Sequence, residues 1–207
     1  MQSSVSGSPV VYVIDDDDSA RHSLEFLLDV AGMRVESFAS ADAFLDAAPP
    51  IENACVVTDV RMPGTSGVEL AQILKSREPA VPVIVITGHA DVPLAIQAMK
   101  AGAADFIEKP YDDRDMLAAI RRSLAKNAED AENVRERREI NERLALLSKR
   151  EREVVDGLVA GKANKVIAHD LDISPRTVEV YRANAMMKMH AKTLSDLVRM
   201  STIARMP

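Results

Sequence analysis

The strongest constraint on this chain is an alternation running through its first 125 residues. Continuous apolar, β-branched runs occur at 10–14 (VVYVI), 33–38 (MRVESF), 53–59 (NACVVTD), 81–87 (VPVIVIT) and 104–109 (ADFIEK). Helix-period segments separate or follow them at 19–31, 41–47, 67–77, 92–101 and 113–125. Parallel strands need a crossover connection of roughly a dozen residues, usually a helix, so five strands interleaved with five helices predict an open, doubly wound parallel sheet. The runs are continuous rather than alternating, as strands covered on both faces should be. Gly32 and Gly102 stand where the first and fourth helices must stop.

The first strand ends in four consecutive aspartates, Asp15 to Asp18. Such a run repels itself and favours neither helix interior nor strand, so its place at the end of a buried strand needs a reason. In a parallel open sheet, ligands bind beyond the carboxyl ends of the strands, where the strand order switches. The residues at those ends are Asp15 and Asp16, then Asp59, Thr87 and Lys109. Any one of them alone is an ordinary turn or cap residue. Together they predict three carboxylates converging on a cation, with oxygen donors of the kind Mg²⁺ takes. Asp59 is the candidate nucleophile, forming an aspartyl-phosphate. Mg²⁺ and the Lys109 ammonium would offset charge on a transferring phosphoryl group. The Thr87 hydroxyl is placed to donate to a phosphate oxygen. A cis Lys109–Pro110 bond would aim the lysine inward.

The remainder differs in charge. Residues 1–125 hold 10 Lys+Arg against 19 Asp+Glu, whereas 140–207 hold 12 against 8. An acidic first half and a basic tail suggest two jobs, the second on nucleic acid. The segment 126–143 is charged, lacks Gly and Pro, and reads as a helical linker or a disordered one. Beyond it, Ser148 and Glu151 have capping-box spacing, and Gly161 closes that helix. "ANKVIAHDLD" and "SPRTVEVYRANAMMKM", with Pro175 at a helix start, read as a helix-turn-helix, and a last helix follows at 193–204. Arg176, Glu179, Val180 and Ala183 share one face of the second helix and would meet base edges in the major groove. Lys165, Ser174, Thr177, Arg182 and Lys188 are placed for phosphates, while Val178, Tyr181, Met186 and Met189 would pack the core. The expected divisions are thus 1–125, 126–143 and 144–207.

The remaining bulk features exclude classes. Cys55 is the lone cysteine, inside "ACVVTDV", which rules out an intrachain disulfide and reads as a small buried hydrophobe. "MQSSVSGSPV" lacks the basic and apolar regions of a signal peptide. No run approaches the roughly 20 apolar residues of a membrane span, so the expectation is a cytoplasmic protein with no membrane partner.

The segments "VIDDDDSAR", "VVTDVRMPGTSGVEL", "VIVITGHADV" and "AADFIEKPY" resemble the receiver domain of two-component response regulators, over about residues 9 to 126. The resemblance implies a flavodoxin-like fold and phosphorylation of Asp59 by a sensor histidine kinase. It also implies Mg²⁺ held by Asp16, Asp59 and the Arg61 carbonyl, with Asp15 close by, and a switch in which Thr87 moves and Phe106 swings inward. Receivers usually carry two or three acids at the first strand, so Asp17 and Asp18 read as solvated residues of a helix N-terminus. His89 reads as a loop residue.

From about 144 to 205 the tail is similar to the LuxR-type four-helix DNA-binding domain, and the whole is similar to the NarL/FixJ class of regulators. That class implies a phosphorylation-driven homodimer, pairing through roughly 92–108, with the last helix also serving dimerisation. It further implies double-stranded promoter DNA and RNA polymerase as partners, and activation of nitrogen-fixation genes under an oxygen-sensing kinase. Tyr181 stands where a histidine is common, which bears on the operator. The competing reading, a Mg²⁺-dependent carboxylate-nucleophile phosphatase, places two aspartates two apart at one strand end and leaves the tail unexplained. An EF-hand fails because the acid run lacks the alternating ligands, central glycine and terminal glutamate. The expectation is a transcription regulator, not an enzyme.

Overall fold

A computed structural model describes residues 8–78, 80–89 and 91–205. The segment 1–7, read above as lacking a targeting signal, lies outside them. The chain divides into two compact units between Ala131 and Glu132, and each is taken by itself.

In the first unit, β1 (Val10–Ile14), β2 (Arg34–Phe38), β3 (Ala54–Asp59), β4 (Val83–Thr87) and β5 (Asp105–Glu108) form one sheet in the order β2-β1-β3-β4-β5. Every neighbouring pair is parallel. All residues of β1, β3 and β4 are buried, whereas the edge strands β2 and β5 are partly open. Successive side chains point to opposite faces, so the continuous runs feed two cores. Val10, Tyr12 and Ile14 join Phe44, Leu70 and Leu74 on one side. Val11 and Val13 join Leu24, Leu28, Met116 and Ile120 on the other. Tyr12, Phe38 and Phe44 pack as an aromatic trio with centroids 5.3 to 6.1 Å apart.

The crossovers are α1 (Asp18–Val30), α2 (Ala41–Ala47), α3 (Gly67–Arg77) and α4 (Val92–Ala101), with α5 (Asp113–Ala145) after the last strand. Their starts follow from the sequence. Asp17 caps α1, Ser66 and Glu69 close a capping box on α3, and Asp91 caps α4. β1 coincides with its apolar run, and the other four strands are trimmed by a residue or two relative to theirs. The charged stretch 126–143 is helical, within the 33 residues of α5, and carries i,i+4 ion pairs Arg138–Glu142 and Glu139–Arg143.

The second unit holds α6 (Lys149–Val159), α7 (Asn164–Asp170), α8 (Pro175–Lys188) and α9 (Leu194–Ile203). Its core gathers Val154, Val155, Leu158, Ile167, Val178, Ala185, Met189 and Leu197, with Ile140 from the end of α5. Tyr181 and Met186 pack against it partly buried. The turn between α7 and α8 is tight: Asp172 adopts a positive φ of 55° and the Ile173 amide donates to the Ala168 carbonyl at 3.0 Å. α8 starts with Ser174 at its cap and Pro175 in its first turn.

Candidate functional site

The order β2-β1-β3-β4-β5 reverses direction between β1 and β3, and there the crevice opens. Asp15, Asp59 and Thr87, at the ends of β1, β3 and β4, are 2%, 8% and 1% exposed, an unusual concentration of buried polar side chains. Lys109 reaches in from beyond β5, and its Nζ donates to Asp15 Oδ2 and Asp59 Oδ1, both at 2.7 Å. The remaining oxygens are also occupied. Asp15 Oδ1 accepts from the Asp17 amide at 3.0 Å, and Asp59 Oδ2 accepts from the Arg61 amide at 2.6 Å. Burial of Lys109 opposes its charge, but its hydrogen bonds to Asp15 and Asp59 and their negative charges outweigh that and hold its pKa above the ordinary lysine value.

Asp16 is exposed. Among the described residues no three His, Cys, Asp or Glu side chains are gathered as a metal-binding group. Asp15, directly after β1, is buried, while Asp16 beside it stays open to solvent. The cation joining the two inner carboxylates is the Lys109 ammonium. The donor set still fits Mg²⁺, which needs only one or two carboxylates because it keeps much of its water shell.

Thr87 makes only long contacts. Its Oγ1 accepts from the His89 amide at 3.3 Å and lies 3.4 Å from the His89 carbonyl. Phe106 is half-buried against the core on the α3–α4 side, and the Lys109–Pro110 bond is cis. His89 is exposed in the loop after β4. Asp17 and Asp18 stand at the cap and first position of α1, as the sequence reading held.

Two residues that shape the site went unread in the sequence. Arg21 donates to the Asp15 carbonyl at 2.7 Å and pairs with Asp18, which ties the acid run to α1; an arginine three residues after an acid on a helix was the available signal. Gly67 packs so closely under β3 that a Cβ there would lie 2.1 Å from the Asp59 carbonyl oxygen. The signal was a glycine directly after the cap residue Ser66, where any helix former would serve.

On α8, Arg176, Glu179, Val180 and Ala183 lie exposed on one face at i, i+3, i+4 and i+7. Lys165 is exposed on α7, and Arg182 is half-buried. Ser174 and Thr177 are partly committed to the helix start, since Ser174 Oγ accepts the Thr177 amide at 3.1 Å and meets Thr177 Oγ1 at 2.8 Å. The Lys188 ammonium is committed elsewhere: it donates to Glu151 Oε2 at 2.7 Å.

A buried acid pair bridged by a lysine at the crevice of a five-stranded parallel sheet, followed by a helix-turn-helix unit, defines a DNA-binding response regulator. The chain belongs to the response regulator receiver family, which it matches over residues 11–121, and residues 145–201 match the bacterial regulatory proteins of the luxR family. It is 57% identical over 194 residues to the transcriptional regulatory protein FixJ of Azorhizobium caulinodans, covering 94% of this chain and 92% of that one. The crystal structure of full-length FixJ from B. japonicum is 50% identical and superposes with a TM-score of 0.61, over 96% of this chain and 98% of that one. The structure of the response regulator StyR is 38% identical with a TM-score of 0.80, covering 95% and 99%. The protein is thus a phosphorylation-responsive transcription factor of FixJ type, not an enzyme, and the phosphatase alternative has no support. Among the described residues no helix is long and apolar enough to cross a membrane.

Proposed function

We propose that this chain is a cytoplasmic transcription activator whose Asp59 accepts a phosphoryl group from a sensor histidine kinase. The observation that carries the reading is the Lys109 ammonium bridging Asp15 and Asp59 at 2.7 Å. A carboxylate oxygen of Asp59 attacks phosphorus as the N–P bond to the donor imidazole breaks, and the imidazole leaves with the electron pair. Asp15, Asp16, Asp59 and the Arg61 carbonyl are the oxygens that would hold Mg²⁺, which when bound neutralises charge on the transferring group. Lys109 turns from Asp59 to a phosphate oxygen. The Thr87 hydroxyl, held only at 3.3 to 3.4 Å now, gains a charged acceptor, and Phe106 follows it inward beside Pro110.

The added charge is read out by dimerisation. Val92, Ile96 and Met99 are 73%, 49% and 51% exposed on α4, an apolar surface suited to a second receiver across residues 92–108. Pairing would bring two α8 helices to half-sites about one DNA turn, ~34 Å, apart. Arg176, Glu179, Val180 and Ala183 meet base edges, with Lys165, Ser174, Thr177 and Arg182 on phosphates. The resemblance to the NarL/FixJ class extends the proposal to an oxygen-sensing kinase as donor and to recruitment of RNA polymerase at nitrogen-fixation genes.

The test is intact mass after incubation with a small phosphodonor, with and without Mg²⁺, on the wild type and Asp59→Asn. A single base-labile phosphate that needs Mg²⁺ and is absent from the variant is the expected result. An unmodified wild type refutes the phosphoacceptor reading.

A further inference from the structure

The strongest unassigned feature lies in the second unit. Glu151 is only 4% exposed, although it is a carboxylate on the first turn of a surface helix. Buried glutamates are rare unless paired, and this one is paired twice. Its Oε2 accepts from the Ser148 amide at 2.7 Å, closing the capping box of α6. The same oxygen accepts from Lys188 Nζ at 2.7 Å, 37 positions away at the last residue of α8. The Lys188 side chain is 34% exposed, so the carboxylate is shielded and the ammonium partly so. A capping box needs no lysine: those at Ser66–Glu69 on α3 and Thr193–Asp196 on α9 close without an ammonium on the acid.

From this we infer that Glu151 and Lys188 form a tether that sets the angle of the DNA-reading helix, making both positioning residues and removing Lys188 from the phosphate contacts. The inference rests on α8 being the reading helix. Its geometry is that of a lever. Lys188 lies twelve residues from Arg176, about 18 Å along the helix. A tilt of about 5° at the tethered end moves the reading end by about 1.5 Å, enough to break hydrogen bonds confined to a window of 2.7–3.2 Å. The apolar contacts of Val178, Ala185 and Met189 hold α8 against the core but are non-directional. A charge-assisted hydrogen bond at one end is directional and fixes rotation as well as depth.

The experiment uses the full-length protein with two duplexes, one selected by the wild type from a random-sequence pool and one unselected. Affinity is measured for both across salt concentrations, beside thermal unfolding, for Glu151→Gln, Lys188→Gln, Lys188→Arg, the double Gln variant and Arg176→Ala. Glutamine still serves a capping box, so Glu151→Gln isolates the charge. The expected result is an about tenfold loss of selected-over-unselected preference in each Gln single. The double should be no worse than either, Lys188→Arg near wild type, and the salt slope unchanged throughout. A slope lowered by about 0.9 in Lys188→Gln would make Lys188 a phosphate contact and overturn the inference. Lower melting with preference intact would make the pair merely structural and overturn it too. Should Glu151→Gln fail to fold, the two Lys188 variants decide alone. If Arg176→Ala leaves the preference intact, the assignment of α8 itself falls, which separates that failure from failure of the tether.

Discussion

Lys109 and Asp15 stand 94 positions apart in sequence and meet at 2.7 Å, with the same ammonium equally close to Asp59. The lysine therefore neutralises two buried carboxylates that would otherwise face each other in a low dielectric. Lys109→Met should destabilise the first unit by about 1–3 kcal/mol, between the cost of losing an exposed pair and that of breaking a fully buried one because the lysine is partly exposed. Mg²⁺ should then raise the melting temperature of the variant more than that of the wild type, since it replaces the lost charge. Melting curves with and without Mg²⁺ check this, and equal increments in both proteins would show that the lysine is not what balances the acids.

Gly67 offers a second handle on the same site. A methyl group there would meet the Asp59 carbonyl oxygen at 2.1 Å, so the backbone carrying Asp59 must shift. Gly67→Ala should cost about 1–3 kcal/mol, as overpacking does, and slow phosphate uptake from a small donor several-fold. Mass spectrometry over time reads the second effect. Unchanged uptake with lowered melting would mean that the shift spares the carboxylate.

Much of this was legible in the sequence, for identifiable reasons. The strands under β1, β3 and β4 were plain because doubly covered strands are written as unbroken apolar runs, and the acids at their ends could be read off in order. That Asp15 alone of the run is buried was not, because four identical residues carry no marker of which one sinks into the crevice. The extent of α5 stayed open because residues 126–143 lack the apolar stripe that separates a packed helix from a solvated one. The pairing of Lys188 was hidden for a related reason. Its partner Glu151 lies in another helix, 37 positions away, and single-helix spacing cannot show such a pairing.

Cys55 sits fully buried near the start of β3, where burial pushes its thiol pKa up to about 12. The thiolate is the reactive form, so the folded protein should ignore a thiol reagent such as a disulfide dye at pH 8. One equivalent should react on addition of denaturant. Because the cysteine lies opposite Val11 on the neighbouring strand and packs in the core with Leu24, Leu28 and Ile120, its labelling rate in native buffer reports opening of the central strands. Rapid native labelling would contradict the burial.

The Glu151 carboxyl is held below the usual glutamate range, first by the hydrogen bond from Lys188 and then by the Ser148 amide and hydroxyl, against the opposing effect of desolvation. A carboxyl whose folded pKa is lowered contributes stability that is complete above its unfolded value, about 4.3. That contribution is lost as pH falls through the lower folded value. The second unit should therefore lose stability between about pH 5 and 3, and Glu151→Gln should be less stable at neutral pH yet flatter across that window. Lys188→Gln should flatten it as well, through loss of the first-named cause. Thermal unfolding of the three proteins from pH 7 down to pH 3 checks this. Parallel curves for wild type and Glu151→Gln would show that the acid sensitivity comes from other carboxylates, such as Asp170 or Asp196, whose values are lowered by Lys162 and by the Thr193 cap.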